Sequence, residues 1–462
     1  MKSLSCSSLP ASAALVAAVA YLALAPLLLP TASAHDGGRI LQVGLLAAVA
    51  LLALPSNWVA RNATLPISLK VCAFACLALT VPSVLTAQHV AAAAQEAALL
   101  LGLAGLAVLA CRAARAGPVT WVFDALLAGS CAYFLLTTGI YAAALSDGAP
   151  LNARLLHLGF DNPRFFNHVQ TLALPVLLGW SMAAPGRLQR RAALVVASFH
   201  FAWLFMDLAR ASLLALAVAT LWCFWTGAST LWRRLLLCAL AGFALNMILF
   251  VALPAALERH WVTHFASAKE LTSSHSRDML LSAALELTRS HPWLGAGPMQ
   301  FAALVHPKGA HPHNLYLQWA SEFGLPSLLL LLSLLLAPLW RVSALLRRQV
   351  DSPPMTAALG AAWLAALVDA GFSGNFVMPL SQVWIAIVYG LLLGSLPAPA
   401  ASVTSAPALR RGALVLLLAS QAWLCAEAWR QWQYDPARIS DTSPVATVEQ
   451  SPRPRFWQQG WL

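Results

Sequence analysis

Charged side chains are scarce in this sequence. Asp, Glu, Lys and Arg make up 10% of its 462 residues while 60% are hydrophobic, against ~25% charged in an average soluble domain. A water-soluble globule needs a polar skin, so the shortage excludes a secreted or cytosolic protein and points to a bilayer. There is no HExxH helix of the kind metallopeptidases use, and no phosphate loop of the nucleotide-binding type. Nor is an internal repeat visible, which argues against an inverted-repeat transporter. The eight cysteines do not read as a disulfide framework. Cys72, Cys76, Cys131, Cys223, Cys238 and Cys425 lie inside apolar runs, with Cys6 and Cys111 near run ends, where a thiol behaves as a small hydrophobe.

What fills the chain is a series of apolar runs, at residues 11–30, 40–55, 66–86, 90–111, 119–143, 166–184, 192–208, 211–227, 235–255, 324–340, 355–371, 378–396 and 412–428. Each is about the length needed to cross ~30 Å of hydrocarbon as a helix. The expected fold is therefore all-α and polytopic, with about 12 to 13 transmembrane helices. It divides into N-terminal helices (1–143), central helices with a polar rim (144–255), a large outer loop holding short helices (256–323), C-terminal helices (324–428) and a polar, aromatic tail (429–462).

The net charge of +11 has a topological reading, and no nucleic-acid partner is inferred from it. With a cytoplasmic N-terminus, the inside loops carry Arg61, then Arg112 and Arg115, Arg187, Arg190 and Arg191, Arg233 and Arg234, Arg341, Arg347 and Arg348, and Arg410 and Arg411. The short outer loops hold only Arg39, Arg154, Arg164 and Arg210. Lys2 and Ala32-Ser33-Ala34 look like parts of a signal peptide, but the apolar run is too long and reads as a retained first helix. On this topology the sequon at Asn62 faces the cytoplasm, and the 256–323 loop and the tail lie outside. Four prolines prevent the tail from being one helix, and Trp429, Trp432, Phe456, Trp457 and Trp461 suit the headgroup level, so the tail is expected to be peripheral.

Polar residues next to apolar runs are the functional candidates. Asp207 and Arg210, three apart, form either a self-neutralising pair or a carboxylate beside an arginine aimed at an anionic substrate group. Asn162-Pro163-Arg164-Phe165-Phe166-Asn167-His168-Val169-Gln170 reads as a turn entering a helix. Its Arg164, Asn167 and His168 either satisfy the helix end or line a sugar-binding cavity. In the outer loop, Ser273-Ser274-His275-Ser276-Arg277-Asp278 leads into an amphipathic stretch through Arg289 that suits the membrane interface. Glycines in the turn His291-Pro292-Trp293-Leu294-Gly295-Ala296-Gly297 allow close backbone approach.

The densest cluster runs from His306 to Gly324. Pro312 suits the first position of a helix ending near Gly324, which places His313 in the first turn, where the dipole favours a neutral imidazole. Asn314, Gln318 and Glu322 would share one polar stripe. His306, His311 and His313 also admit a zinc reading or an interfacial structural one, yet the spacing fits no zinc motif and neither a metal nor a cofactor is expected.

The stretch 291–324, with His-Pro-Trp-Leu-Gly-Ala-Gly, then His-Pro-His-Asn-Leu-Tyr-Leu-Gln and Glu-Phe-Gly-Leu-Pro, resembles the superfamily of bacterial O-antigen ligases, O-antigen polymerases and protein O-oligosaccharyltransferases. The likeness extends over roughly residues 160–395. It implies an inner-membrane transferase, active at the periplasmic face, that moves a glycan from undecaprenyl diphosphate to an acceptor hydroxyl without metal. It also implies that His313 is the catalytic histidine and that Arg210 and Arg277 hold the diphosphate. Beside them, His311, Asn314, Gln318, Asn167, His168 and Arg164 are expected to line the substrate site. The motif at 162–168 and Arg455-Phe456-Trp457 look most like the enzymes that modify Ser or Thr of type IV pilin. A ligase acting on lipid A core is the next reading and a polymerase the third. A lipid or solute transporter, from another class, would need no poised base and would carry its essential residues at mid-membrane.

Overall fold

A computed structural model describes residues 9–27, 33–54, 67–261, 277–303, 309–348, 353–397, 407–433 and 455–457. The sequon at Asn62, Ser273 to Ser276, His306 and the tail prolines lie outside the described residues.

Among the described residues the chain is helical, with one isolated bridge between Leu151 and Trp261. Thirteen helices have 16 residues or more, one for each apolar run: α1 (Leu9–Leu24), α2 (Ala34–Ala53), α3 (Ile67–Leu85), α4 (Val90–Ala116), α5 (Thr120–Asp147), α7 (Pro163–Ala183), α8 (Arg187–Met206), α9 (Arg210–Thr226), α10 (Ser229–Asn246), α14 (Leu325–Arg348), α15 (Pro354–Ala370), α16 (Pro379–Ser395) and α17 (Pro407–Gln433). Four are short: α6 (Ala153–Leu156), α11 (Leu253–Ala256), α12 (Arg277–Ser290) and α13 (Leu315–Phe323). A π-turn over Met247–Ala252 joins α10 to α11.

Among the described residues eight helices are long and apolar enough to cross a membrane, α9, α15 and α16 are apolar at 17 residues, and α7 and α8 fall in neither group. The fold is that of an all-α polytopic membrane protein. The helices α7, α15 and α16 are the most enclosed, with Trp180, Trp363 and Ile387 buried among alanines and leucines. Small residues permit this close packing: a Cβ on Gly179 of α7 would sit 2.3 Å from Ala358 Cβ on α15, the small-residue contact that lets membrane helices approach.

Hydrogen bonds sort the helix ends into two sides. On one side Asp161 accepts from the backbone N–H of Ala34 and His35, Gln300 accepts from His89 N–H, Arg164 donates to the Leu208 carbonyl and Asn314 donates to the Gly371 carbonyl. On the other, Arg115 donates to the Leu393 carbonyl, Arg234 to Ser181 and Arg341 to the Pro397 carbonyl. Each of these pairs is separated along the chain by an even number of long helices, six of them between His89 and Gln300. Parity therefore agrees throughout with thirteen alternating helices.

Two expectations need correction. Part of the apolar stripe of α12 is withdrawn from the interface plane, because Leu280 and Ala284 are buried against Phe301, with Leu317 of α13 beside them, while Met279 stays exposed. The described part of the tail is not peripheral either: Arg455, Phe456 and Trp457 are 3%, 1% and 4% exposed.

Candidate active site

A cavity of about 790 Å³ opens on the side that carries the 256–323 loop. Its walls are the N-terminal turn of α7, the α8–α9 junction, the π-turn, the start of α12, the His311–His313 turn and the segment after α15. Cations face into it from four places: Arg154, Arg164, Arg210 and Arg277. His168, His311, His313, Asn167, Asp207 and Asp369 share the walls.

Local sequence explains each placement. Asn162 caps α7 by accepting the Arg164 N–H at 2.9 Å, and Pro163 supplies the first helical residue with no donor to satisfy. The helix therefore starts at the cavity rim and projects Arg164, Asn167 and His168 inward. Between α8 and α9 the chain reverses through Leu208, whose φ of +50° is a left-handed value rare outside glycine. That turn puts Arg210 at the start of α9. Asp207 is buried, accepting Asn167 Nδ2 at 2.8 Å and sharing a hydrogen bond with His157 Nε2 at 3.1 Å.

The turn before α13 differs from the expected one. The helix begins at Leu315, not at Pro312, because Asn314 is its cap: Asn314 Oδ1 accepts Leu317 N–H at 3.0 Å and Nδ2 donates to the Gly371 carbonyl at 2.9 Å. His313 stands before the cap with φ +54°. Its imidazole is neutral for a different reason from the dipole. Burial first, then the charges of Arg277 and His168, lower its pKa to about 4. His311 Nδ1 accepts the His313 N–H at 3.3 Å, and the two rings lie 4.1 Å apart. Burial, His313 and Arg455 lower His311 well below its usual value. Both rings are thus uncharged at neutral pH. Burial and the neighbouring Arg210 also push the Arg277 guanidinium down, with Asp369 opposing. Two arginines close enough to repel across one cavity are an arrangement chemically suited to an anionic ligand.

Of the residues singled out in the sequence, His313, Arg210, Arg277, His311, Asn167, His168 and Arg164 line the cavity, while Asn314 and Gln318 do not. Asn314 is spent as a cap. Glu322 of the expected stripe is fully buried and paired with Arg455, its carboxylate oxygens each 2.7 Å from the guanidinium. The glycine turn behaves as expected: Gly295 has φ +71°, and a Cβ there would lie 2.2 Å from the Glu322 backbone. Sequence reading missed Asp369, buried in α15, whose Oδ2 is 3.2 Å from His168 Nδ1 and whose Oδ1 has no hydrogen-bond partner. An acid inside an apolar run is a signal that should have raised it. It also missed Arg154 and His157. Among the described residues no group of three His, Cys, Asp or Glu is arranged to hold a metal ion.

Residues 192–332 match the family model described as O-antigen ligase. The match runs from α8 to the first turns of α14 and includes Arg210, Arg277, His311 and His313, supporting the O-antigen ligase superfamily and a ligase-like glycosyltransferase activity. No curated protein matches the chain.

Proposed function

With the O-antigen ligase match as its premise, we propose that the chain transfers a glycan from undecaprenyl diphosphate to an acceptor hydroxyl at the periplasmic face of the bacterial inner membrane. The observation that carries this reading is the pairing of Arg210 and Arg277 in one cavity with the neutral His313. In the proposed step His313 takes the acceptor hydroxyl proton and the oxygen attacks the anomeric carbon. The bond from that carbon to the phosphate oxygen breaks, and the electron pair leaves on the lipid diphosphate. Charge grows on the leaving group as the bond stretches, so fixed guanidiniums at that position stabilise the transition state more than the ground state. His168, held by Asp369, faces the same space and suits the sugar or the acceptor oxygen.

The acceptor in this reading is a Ser or Thr of type IV pilin, supported by the 162–168 motif and the Arg455-Phe456-Trp457 segment. The second reading, lipid A core, is favoured by the description of the matched family. Intact-mass analysis of pilin and gel analysis of lipopolysaccharide from one deletion strain decide between them, because loss of one product with the other intact names the acceptor. Neither product changing rejects both. Transfer by purified protein in detergent is expected to survive chelation, since arginines occupy the role a divalent ion has in other transferases. Activity lost to a chelator and restored by zinc rejects that part of the reading.

A further inference from the structure

We propose that the C-terminal segment Arg455-Phe456-Trp457 is a strap that holds the His311–His313 turn in its reacting position, with Arg455 as a positioning residue. The inference rests on the transferase reading above and brings in a part of the chain outside the matched residues 192–332.

The Arg455 guanidinium grips Glu322 with both ends of its fork, Nη1 to Oε1 and Nη2 to Oε2, each at 2.7 Å. Nη2 also stands 3.6 Å from Glu96 Oε1, and all three side chains are buried. Glu322 lies on the last turn of α13, and its Oε1 additionally accepts the Phe301 N–H at 3.0 Å. Since α13 has only nine residues, a shift at its end reaches the Asn314 cap and the His313 before it.

From the other side, the Phe456 carbonyl accepts Arg39 Nε at 3.0 Å, and the Arg39 guanidinium lies 4.8 Å from the Phe456 ring centroid. Arg39 Nη2 in turn donates to the Val377 carbonyl at 2.6 Å. Val377 belongs to the segment after α15 whose Gly374 packs on His311 so closely that a Cβ would sit 2.5 Å from His311 Cε1. Trp457 Nε1 donates to Gln431 at 2.7 Å and its ring stacks on Trp432. The strap thus braces both supports of the histidine turn, α13 on one side and residues 371–378 on the other.

A bidentate arginine–carboxylate pair fixes direction as well as distance, which a lysine cannot reproduce. Displacement of a reacting group by ~1 Å costs up to ~10²-fold in rate, even when the altered residue lies away from the chemistry.

Full-length Arg455→Lys and Arg455→Ala test the proposal, with transfer followed from a polyprenyl-diphosphate-linked glycan and rates expressed per folded molecule. Hydrogen–deuterium exchange over residues 309–316, compared with 163–183, supplies a readout that needs no activity. For Arg455→Lys, kcat is expected to fall about tenfold with donor KM nearly constant, and for Arg455→Ala about 10²-fold. Exchange should rise at 309–316 in both variants and stay unchanged at 163–183. A wild-type kcat with wild-type exchange in both variants overturns the strap. So does a rise in exchange shared equally by the two segments, which is the mark of a general structural role. Should the wild-type protein transfer no glycan at all, the functional reading fails by itself and exchange alone decides the strap.

Discussion

In the proposed transfer His313 carries more of the chemistry than any other residue, and its position makes two measurable claims. The ring is neutral because it is buried beside Arg277 and His168, which lower its pKa to about 4. A base of that kind stays competent at neutral pH, so kcat/KM of the free enzyme should hold steady through the usual histidine range near ~6.5 and fall only as pH drops through about 4. An acidic limb centred near ~6.5 would assign the titration to another group. His313→Ala should cost about 10²-fold to 10⁴-fold in rate while donor binding persists. Full turnover in that variant moves the base to His168, which already has Asp369 to orient it. The arginines make a separate claim. Arg210→Lys and Arg277→Lys should both remain defective, because an ammonium loses the planar fork that matches a diphosphate. A near-normal Arg210→Lys with an inactive Asp207→Asn would mean that this corner serves to hold the fold, through the Asn167 and His157 contacts to Asp207. Asn167, His168, Asp207 and Arg210 were legible in the sequence because each interrupts or borders an apolar run, whereas His313 stood out in a histidine-rich turn and Arg277 through the family likeness. Asp369 was not noticed for the opposite reason: a single carboxylate in a seventeen-residue helix barely alters the average hydropathy that marks the run.

At the level of elements, helix existence was readable and helix starts were not. Pro312, His313 and Asn314 offer three plausible first positions, and proline's fixed φ favours its own. Tertiary contacts decided otherwise. Asn314 both caps α13 and donates to Gly371 after α15, a second bond that no local rule contains, and this leaves His313 outside the helix in a left-handed conformation. Strain of that sort is worth roughly 1–3 kcal/mol and persists only where surroundings over-determine it. The turn at Gly295 is one such surrounding, with Ala296 N–H and Gly297 N–H donating to the Ser321 and Glu322 carbonyls at the end of α13. Gly295→Ala meets both a left-handed φ of +71° and a backbone contact at 2.2 Å, so it should destabilise the loop by more than the ~1 kcal/mol that Asn314→Ala loses as a cap. Thermal unfolding in detergent checks the order. A Gly295→Ala protein as stable as wild type, or less affected than Asn314→Ala, would contradict the clasp between this turn and α13.

For the molecule as a whole, the apolar runs gave the number of helices, and the long-range bonds supply an independent check on their alternation. Arg455 and Glu322 are joined although four long helices, α14 to α17, lie between them. Four crossings return the chain to the side it left. Asp161 and Ala34 are joined across another four, α2 to α5. The opposite ends gather Arg115, Arg234 and Arg341, arginines of the short loops that the charge reading of the sequence placed inside. The sequence could not disclose the tail's burial, because Arg455-Phe456-Trp457 forms no periodic pattern and its partners lie far along the chain, from 133 residues for Glu322 to 417 for Arg39. Together these contacts predict an outcome for topology reporters. Basic ends face the cytoplasm, so a reporter fused after Leu462 should be active outside it and one inserted at Gly117, between α4 and α5, only inside it. Thirteen alternating helices admit no other combination. If both reporters are active on the same side, one of the thirteen helices does not cross. The helices α7 and α8, outside the eight long apolar ones, and the shorter α9, α15 and α16 would then be examined first, by cysteine labelling at residues 186, 227 and 371, the glycines before α8 and at the ends of α9 and α15.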